Sequence, residues 1–141
     1  MTLSQLDNLV RIGQLKAEPA ARAELDGLMR SGAAWIKDAE NDRLSVESRF
    51  DLAYNAAHAF SLAALRYHGY RSDNRFLVFQ SLQHTVGLSP QKWRVLDQAH
   101  RRRNLVEYEG SADIDAGLIE AMVRVAREVE AAVLALCASP G

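Results

Sequence analysis

Residues 113–136, DIDAGLIEAMVRVAREVEAAVLAL, carry Ile114, Leu118, Met122, Val125, Val129, Val133 and Leu136 at three- and four-residue steps. That spacing gathers apolar side chains on one side of an α-helix, and a seam of about six turns is the kind a helix bundle buries. The pattern predicts a final helix beginning at Asp113, with Ala138 to Gly141 as a fraying tail.

The segments on its N-terminal side read the same way. Gly110 is placed to stop a helix of Pro90 to Glu109 in a left-handed conformation. Before it, Gly87-Leu88-Ser89-Pro90 supplies a stop, a cap and a first-turn proline, which breaks this helix from one running from Asp73 or Asn74 to about Val86. Ser45 can cap an earlier helix with Glu47 in its positive first turn. Its inner face is Phe50, Ala53, Tyr54, Ala57, Ser61, Ala64 and Leu65, and Gly69 ends it. The alanines between Ala53 and Ala64 imply that another helix approaches closely. Pro19 suits the first turn of a helix reaching Glu40, with Leu25, Leu28, Met29, Gly32, Ile36 and Ala39 inward and Gly27 and Gly32 softening it. A first helix spans Leu3 to Leu15, with Leu3, Leu6, Leu9 or Val10 and Gly13 on one side.

No stretch alternates in the manner of a strand, so the expected class is all-α. The expected architecture is an antiparallel four-helix bundle over residues 17–137, with an additional short N-terminal helix over 1–16, one helix interrupted at Gly87 to Pro90, and a tail over 138–141. A chain of 141 residues, 48% hydrophobic and 25% charged, fits one soluble domain with a real core. A net charge of −1 excludes bulk electrostatic attraction for nucleic acid, leaving Arg101 to Arg103 as the basic run. The single cysteine, Cys137, excludes an internal disulfide and a cysteine zinc cluster, and it reads as a packed or surface thiol. The expected compartment is the cytoplasm, without membrane association, because residues 1–15 contain Asp7, Arg11 and Gln14 rather than a continuous apolar run.

The chemistry concentrates in His100 to Gly110. At about 100° per residue, His100, Arg103, Asn104, Glu107 and Tyr108 fall within roughly 140°, while Arg102 points nearly opposite. Trp93 and Asp97 extend this stripe, and Val95, Leu96, Ala99 and Val106 form an apolar sector beside it. Arg103 and Glu107 are also an i, i+4 pair whose simplest role is a surface salt bridge of about 0.3 to 0.5 kcal/mol. A polar stripe bordering the core points instead to a hydrogen-bonded network or a cleft shared with another subunit.

Other chemistries find little footing. His58, His68, His84 and His100 lack metal-ligand spacing, so neither a metal nor a cofactor is expected, and hydrogen-bonded core or surface roles suit them. No Gly-x-Ser-x-Gly turn and no phosphate-cradling glycine loop is present. Trp35, Phe50, Tyr54, Phe76, Phe79 and Trp93 sit at helical spacing among aliphatic residues and read as core.

The helix Arg49-Phe50-Asp51-Leu52-Ala53-Tyr54-Asn55-Ala56-Ala57-His58, then Gly69-Tyr70-Arg71, then Arg103-Asn104 with Glu107-Tyr108-Glu109-Gly110, together resemble the HEPN domains (higher eukaryotes and prokaryotes nucleotide-binding), in their small stand-alone prokaryotic form. The resemblance covers most of the chain. It implies a four-helix bundle, usually a homodimer, with an Arg-containing motif lining the cleft between subunits. Many such proteins are metal-independent ribonucleases whose motif is an arginine, four to six residues, and a histidine. In this chain no register supplies the histidine, and Glu107 or Tyr108 stands in its place.

Attack of an RNA 2′-hydroxyl on phosphate needs a base, an acid and charge stabilisation. Arg103 could stabilise the phosphorane, Glu107 serve as base and His100 as acid, although a helix separates those two by about 10 Å. The resemblance carries Arg103 and Asn104 over as motif residues, and together with Arg101 and Arg102 of the basic run they are the candidates for RNA or nucleotide contact. It also implies Tyr108 as an acceptor of AMP from a nucleotidyltransferase-type antitoxin partner. Two readings remain open. The favoured one is a dimeric non-catalytic binding or regulatory module with an Arg-Asn-x-x-Glu-Tyr cleft. The other is a metal-independent RNA endonuclease or the toxin component of a toxin-antitoxin pair.

Overall fold

The computed structural model describes residues 3–110 and 114–138, without the side chains of residues 3 and 107–109. The described chain is an all-α antiparallel bundle whose principal helices are α2 (Arg22–Ala39), α3 (Val46–Tyr67), α6 (Pro90–Glu109) and α7 (Ala116–Ala138). Helix α3 is its centre, packed mainly between α2 and α7, while α6 lies against α7 and reaches α3 partly through α4 (Arg75–Gln80). The short α5 (Leu82–Thr85) joins α4 to α6, and α1 (Leu3–Arg11) is the additional N-terminal helix. No helix among the described residues is long and apolar enough to cross a membrane.

Local chemistry sets several boundaries as expected. The Ser45 hydroxyl accepts the Ser48 N–H at 3.1 Å, and Asn74 Oδ1 accepts the Leu77 N–H at 3.1 Å, so α3 and α4 start on side-chain caps. Gly110 closes α6 at φ +81°, and Pro90 occupies its first turn. The expected start of the last helix at Asp113 lies outside the described residues. Helix α7 starts at Ala116, where Asp115 Oδ1 accepts the Leu118 N–H at 2.7 Å, and it continues through Ala138, which the sequence reading placed in the tail.

Other boundaries move. Helix α1 stops at Arg11 rather than Leu15, because Gly13 turns left-handed and the N–H groups of Gln14 and Leu15 fold back onto the Leu9 carbonyl at 2.9 and 3.2 Å. Pro19 is not in the first turn of α2, which starts at Arg22 after an extended segment. That segment is held by Arg66, whose Nη2 donates to the Pro19 carbonyl at 3.2 Å. The expected helix up to Val86 divides at Ser81, whose hydroxyl bonds the Leu77 carbonyl at 2.8 Å. The sequence reading also missed a two-residue antiparallel pair, β1 (Lys16–Ala17) with β2 (Tyr70–Arg71), in register Lys16 to Arg71 and Ala17 to Tyr70.

The buried stripe of α7 is Ile119, Met122, Val125, Ala126, Val129 and Val133, so Ile119 takes the place expected for Leu118, which is only partly buried. Contact with both α3 and α6 widens that stripe beyond a single seam. The alanines of α3 do mark a close approach. Gly32 of α2 sits over the Phe60 ring, and a Cβ there would lie 2.5 Å from Phe60 Cε1. Gly32 is therefore a packing residue, whereas a Cβ on Gly27 would meet nothing within 4 Å. Fully buried Phe50, Tyr54, Phe60 and Phe79 anchor this core, each worth roughly 1.5 to 3 kcal/mol of burial. Trp35, read as core, is 37% exposed. A second apolar cluster, Leu6, Leu15, Leu65, Tyr70, Leu77 and Val78, fixes α1 to the bundle.

Candidate functional site

The polar stripe of α6 meets α3 and α4 at one place. Tyr54 and His58 are i, i+4 neighbours on α3, so they project from the same face one turn apart. Arg75 opens α4, and Phe79, one turn later, packs edge-on against both Tyr54 and His58 at ring separations of 5.6 and 6.0 Å. From α6 come His100, Arg103 and Asn104, all half-buried. Leu96 and Ala99 anchor that helix in the core, which holds the stripe at its edge.

The hydrogen bonds form a short relay. Asn104 Nδ2 lies 3.4 Å from His100 Nε2, and His100 Nδ1 lies 3.0 Å from the Tyr54 hydroxyl. With the amide donating to Nε2, the imidazole proton sits on Nδ1 and is donated to the Tyr54 oxygen. Tyr54 is 1% exposed, so this pairing supplies a donor to a buried phenol oxygen that would otherwise be costly. Phe76 and Phe79 flank the same imidazole with ring centres 6.2 and 6.4 Å away.

Two guanidinium groups converge on the Tyr54 ring. The Arg103 Cζ lies 4.9 Å and the Arg75 Cζ 5.5 Å from its centre. Each contact is a cation–π interaction worth about 0.5 to 2 kcal/mol, but it leaves the N–H donors to be satisfied elsewhere. Arg75 Nη1 is buried and has no hydrogen-bond partner among the described residues.

Burial, with this positive field as a smaller contribution, governs the histidines. Burial, then the charges of Arg75, Arg103 and His100, push His58 down to about 4. His100 is also lowered, by burial first and by Arg103 and Arg75, against the raising influence of Asp97. Both imidazoles are therefore neutral at pH 7. Asp97 itself is engaged by Arg101 at 3.1 Å.

Of the residues marked from sequence, the structure brings His100, Arg103 and Asn104 together. The side chains of Glu107 and Tyr108 lie outside the described residues, so the proposed base and the proposed modification site have no described position. Arg101 is exposed and directed to Asp97, and Arg102 is half-buried. Val106, expected in the apolar sector, is 39% exposed, and Leu105 beside it is 41% exposed. The sequence reading treated Tyr54 as plain core and did not single out Arg75. Tyr54 and His58, the polar-tipped residues one turn apart on a face otherwise built of alanine and phenylalanine, are the signal that was there to be read.

Among the described residues, no group of three His, Cys, Asp or Glu side chains is placed to hold a metal ion. Cys137 is half-buried at the far end of α7, packed against the core. Comparisons of the chain with protein-family models, with curated proteins and with solved structures gave no match.

Proposed function

We propose that the chain is a HEPN-like helical bundle that acts as a homodimeric, non-catalytic module binding RNA through the α6 cleft. The observation that carries this reading is the clamped His100 beside Arg103, with one imidazole nitrogen against Tyr54 and the other against Asn104. A general acid needs a protonated nitrogen aimed at the leaving oxygen. His100 is held neutral by its burial and its cationic neighbours, and both nitrogens are engaged within the protein. It acts as a strut that orients Tyr54, while Arg103 supplies the positive charge for a phosphate. Exposed Leu105 and Val106, on the helix that bears the site, support a second copy of the chain as the cover of this face.

The test is to incubate purified protein with a labelled single-stranded RNA and follow binding and cleavage in the same samples. Binding is expected to weaken at least 10-fold in Arg103→Ala, with no cleavage that depends on Arg103 or His100. Cleavage by the wild type that Arg103→Ala and His100→Ala both abolish would overturn the non-catalytic reading in favour of a metal-independent ribonuclease of the toxin type. Light scattering is expected to give a dimer, and a monomer at working concentration would remove the shared cleft.

A further inference from the structure

We propose that Arg75 is a second phosphate-binding residue, and that Arg75 from α4 and Arg103 from α6 together form a two-arginine clamp for one phosphate group beside the Tyr54 ring. This rests on the reading of the α6 cleft as a binding site, and it adds a residue that neither the periodicity of α6 nor the resemblance assigned.

Two like charges sit within 5.5 Å of the centre of one ring, against a bundle interior where charges are weakly screened. In a protein of net charge −1 this is not a by-product of general basicity. Among the described residues Asp97 acts on His100 while paired with Arg101. The two nearby imidazoles do not add cations of their own, because burial, helped by the guanidinium pair, keeps them neutral.

Arg75 also lacks what a structural arginine would have. Its Nη1 is buried without a hydrogen-bond partner among the described residues, although its guanidinium lies against an aromatic face. A buried unpaired donor on a cation is costly, and arginine is seldom left so unless something outside the chain completes it. The complement of two forked cations beside an aromatic ring is an oxyanion with several acceptor oxygens, and phosphate has the charge and the geometry to take both forks. The ring adds a surface on which a base or a ribose can rest. The shared chemistry is thus the phosphate of a nucleotide or of an RNA linkage.

The position of Arg75 fits this role. It follows the capping Asn74 at the start of α4, so its backbone is fixed by a side-chain hydrogen bond rather than by a flexible loop. Phe76 and Phe79, on the same short helix, pack against His100, which couples the placement of Arg75 to the α6 stripe.

Titration calorimetry of the full chain with AMP, with the dinucleoside monophosphate ApA and with adenosine tests the clamp, using wild type, Arg75→Gln, Arg75→Lys and Arg103→Gln. The expected result is that a phosphate-bearing probe binds the wild type more tightly than adenosine does. Arg75→Gln should lose about 10- to 100-fold of that affinity and Arg75→Lys should recover part of it. Preference for AMP would identify a nucleotide phosphate and preference for ApA an RNA linkage, and both support the clamp. The salt dependence of binding should also become shallower in Arg75→Gln by about one phosphate contact. Circular dichroism and an unchanged melting temperature establish that the variant is folded. Unchanged affinity in folded Arg75→Gln, with affinity lost in Arg103→Gln, would overturn the clamp and leave the α6 site standing. Absence of binding by any probe and by RNA would overturn both.

Discussion

Helix α3 carries two sites built around arginine, and they are opposite in kind. At its C-terminal end Arg66 is 2% exposed, yet all of its N–H donors are used. Nε and Nη2 grip the Glu24 carboxylate at 2.7 and 3.0 Å, Nη1 donates to the carbonyls of Glu18 and Tyr70 at 2.6 and 3.3 Å, and Nη2 also donates to Pro19. Glu24 accordingly lies below the usual carboxylate range, chiefly through its hydrogen bond to Arg66. Nearer the N-terminal end of α3, Tyr54 has two guanidinium groups against its ring, and one of them has a buried nitrogen without a partner among the described residues. A saturated arginine holds the chain together. An unsaturated one leaves a buried donor without a partner among the described residues.

The two ends are therefore expected to respond differently to substitution. The largest effect belongs to Arg66. Replacing it with Ala strands Glu24 and three backbone carbonyls, and because Glu24 is 34% exposed the loss falls at the lower end of the range for a buried ion pair, about 3 kcal/mol. In a chain of this size that lowers the melting temperature by on the order of 10 °C or more, measurable by calorimetry. RNA binding by the fraction that remains folded at low temperature should be unchanged.

Next comes the acid response of the other end. His58 is pushed from the ordinary imidazole range near 6.5 down to about 4 in the folded chain. Because the unfolded state binds the extra proton first, stability is full above pH 6.5 and falls as the pH drops from there toward 4. The cost is on the order of 3 kcal/mol at the lower end of that window. Urea denaturation of His58→Gln at several pH values should show a flatter dependence than wild type between pH 6.5 and 4. Equal slopes would mean that burial and the charges of Arg75 and Arg103 together do not hold this imidazole down.

Smaller effects separate packing from function. Gly32→Ala drives a methyl into the Phe60 ring and should cost about 1 to 3 kcal/mol, whereas Gly27→Ala should be neutral or stabilising by up to about 1 kcal/mol. The smallest expected effect is that of Arg75→Gln, within about 0.5 kcal/mol of wild type in melting experiments, because losing its cation–π contact is offset by removing a buried donor without a partner among the described residues. An arginine whose loss leaves the fold intact while removing affinity is the signature of a binding residue.

The degree to which sequence revealed each end follows from the range of the interactions. Caps and stops act over three or four residues, so Ser45, Asn74, Pro90 and Gly110 were legible, and the bundle with them. Arg66 was not, because in sequence it is a basic residue in the last turn of a helix, and its carboxylate partner lies 42 residues earlier. For the same reason Pro19 was misread. Its ring looks like a helix start, but its carbonyl is captured from 47 residues away. Half of the candidate site was visible because His100, Arg103 and Asn104 share one helix face. Tyr54 and Arg75 were hidden, the first inside a run of core residues and 46 residues from His100, the second in front of two phenylalanines.

The central claim is that the α3–α4–α6 junction is a binding surface and not a second structural arginine cluster. Thermal denaturation of wild type and Arg103→Ala, with and without single-stranded RNA at about 100 times its dissociation constant for the wild type, addresses it most directly. Selective binding to the folded state is expected to stabilise the wild type by about 2.7 kcal/mol, a rise of several degrees, and to leave Arg103→Ala nearly unmoved. An equal rise in both proteins, or none in the wild type, would contradict the account.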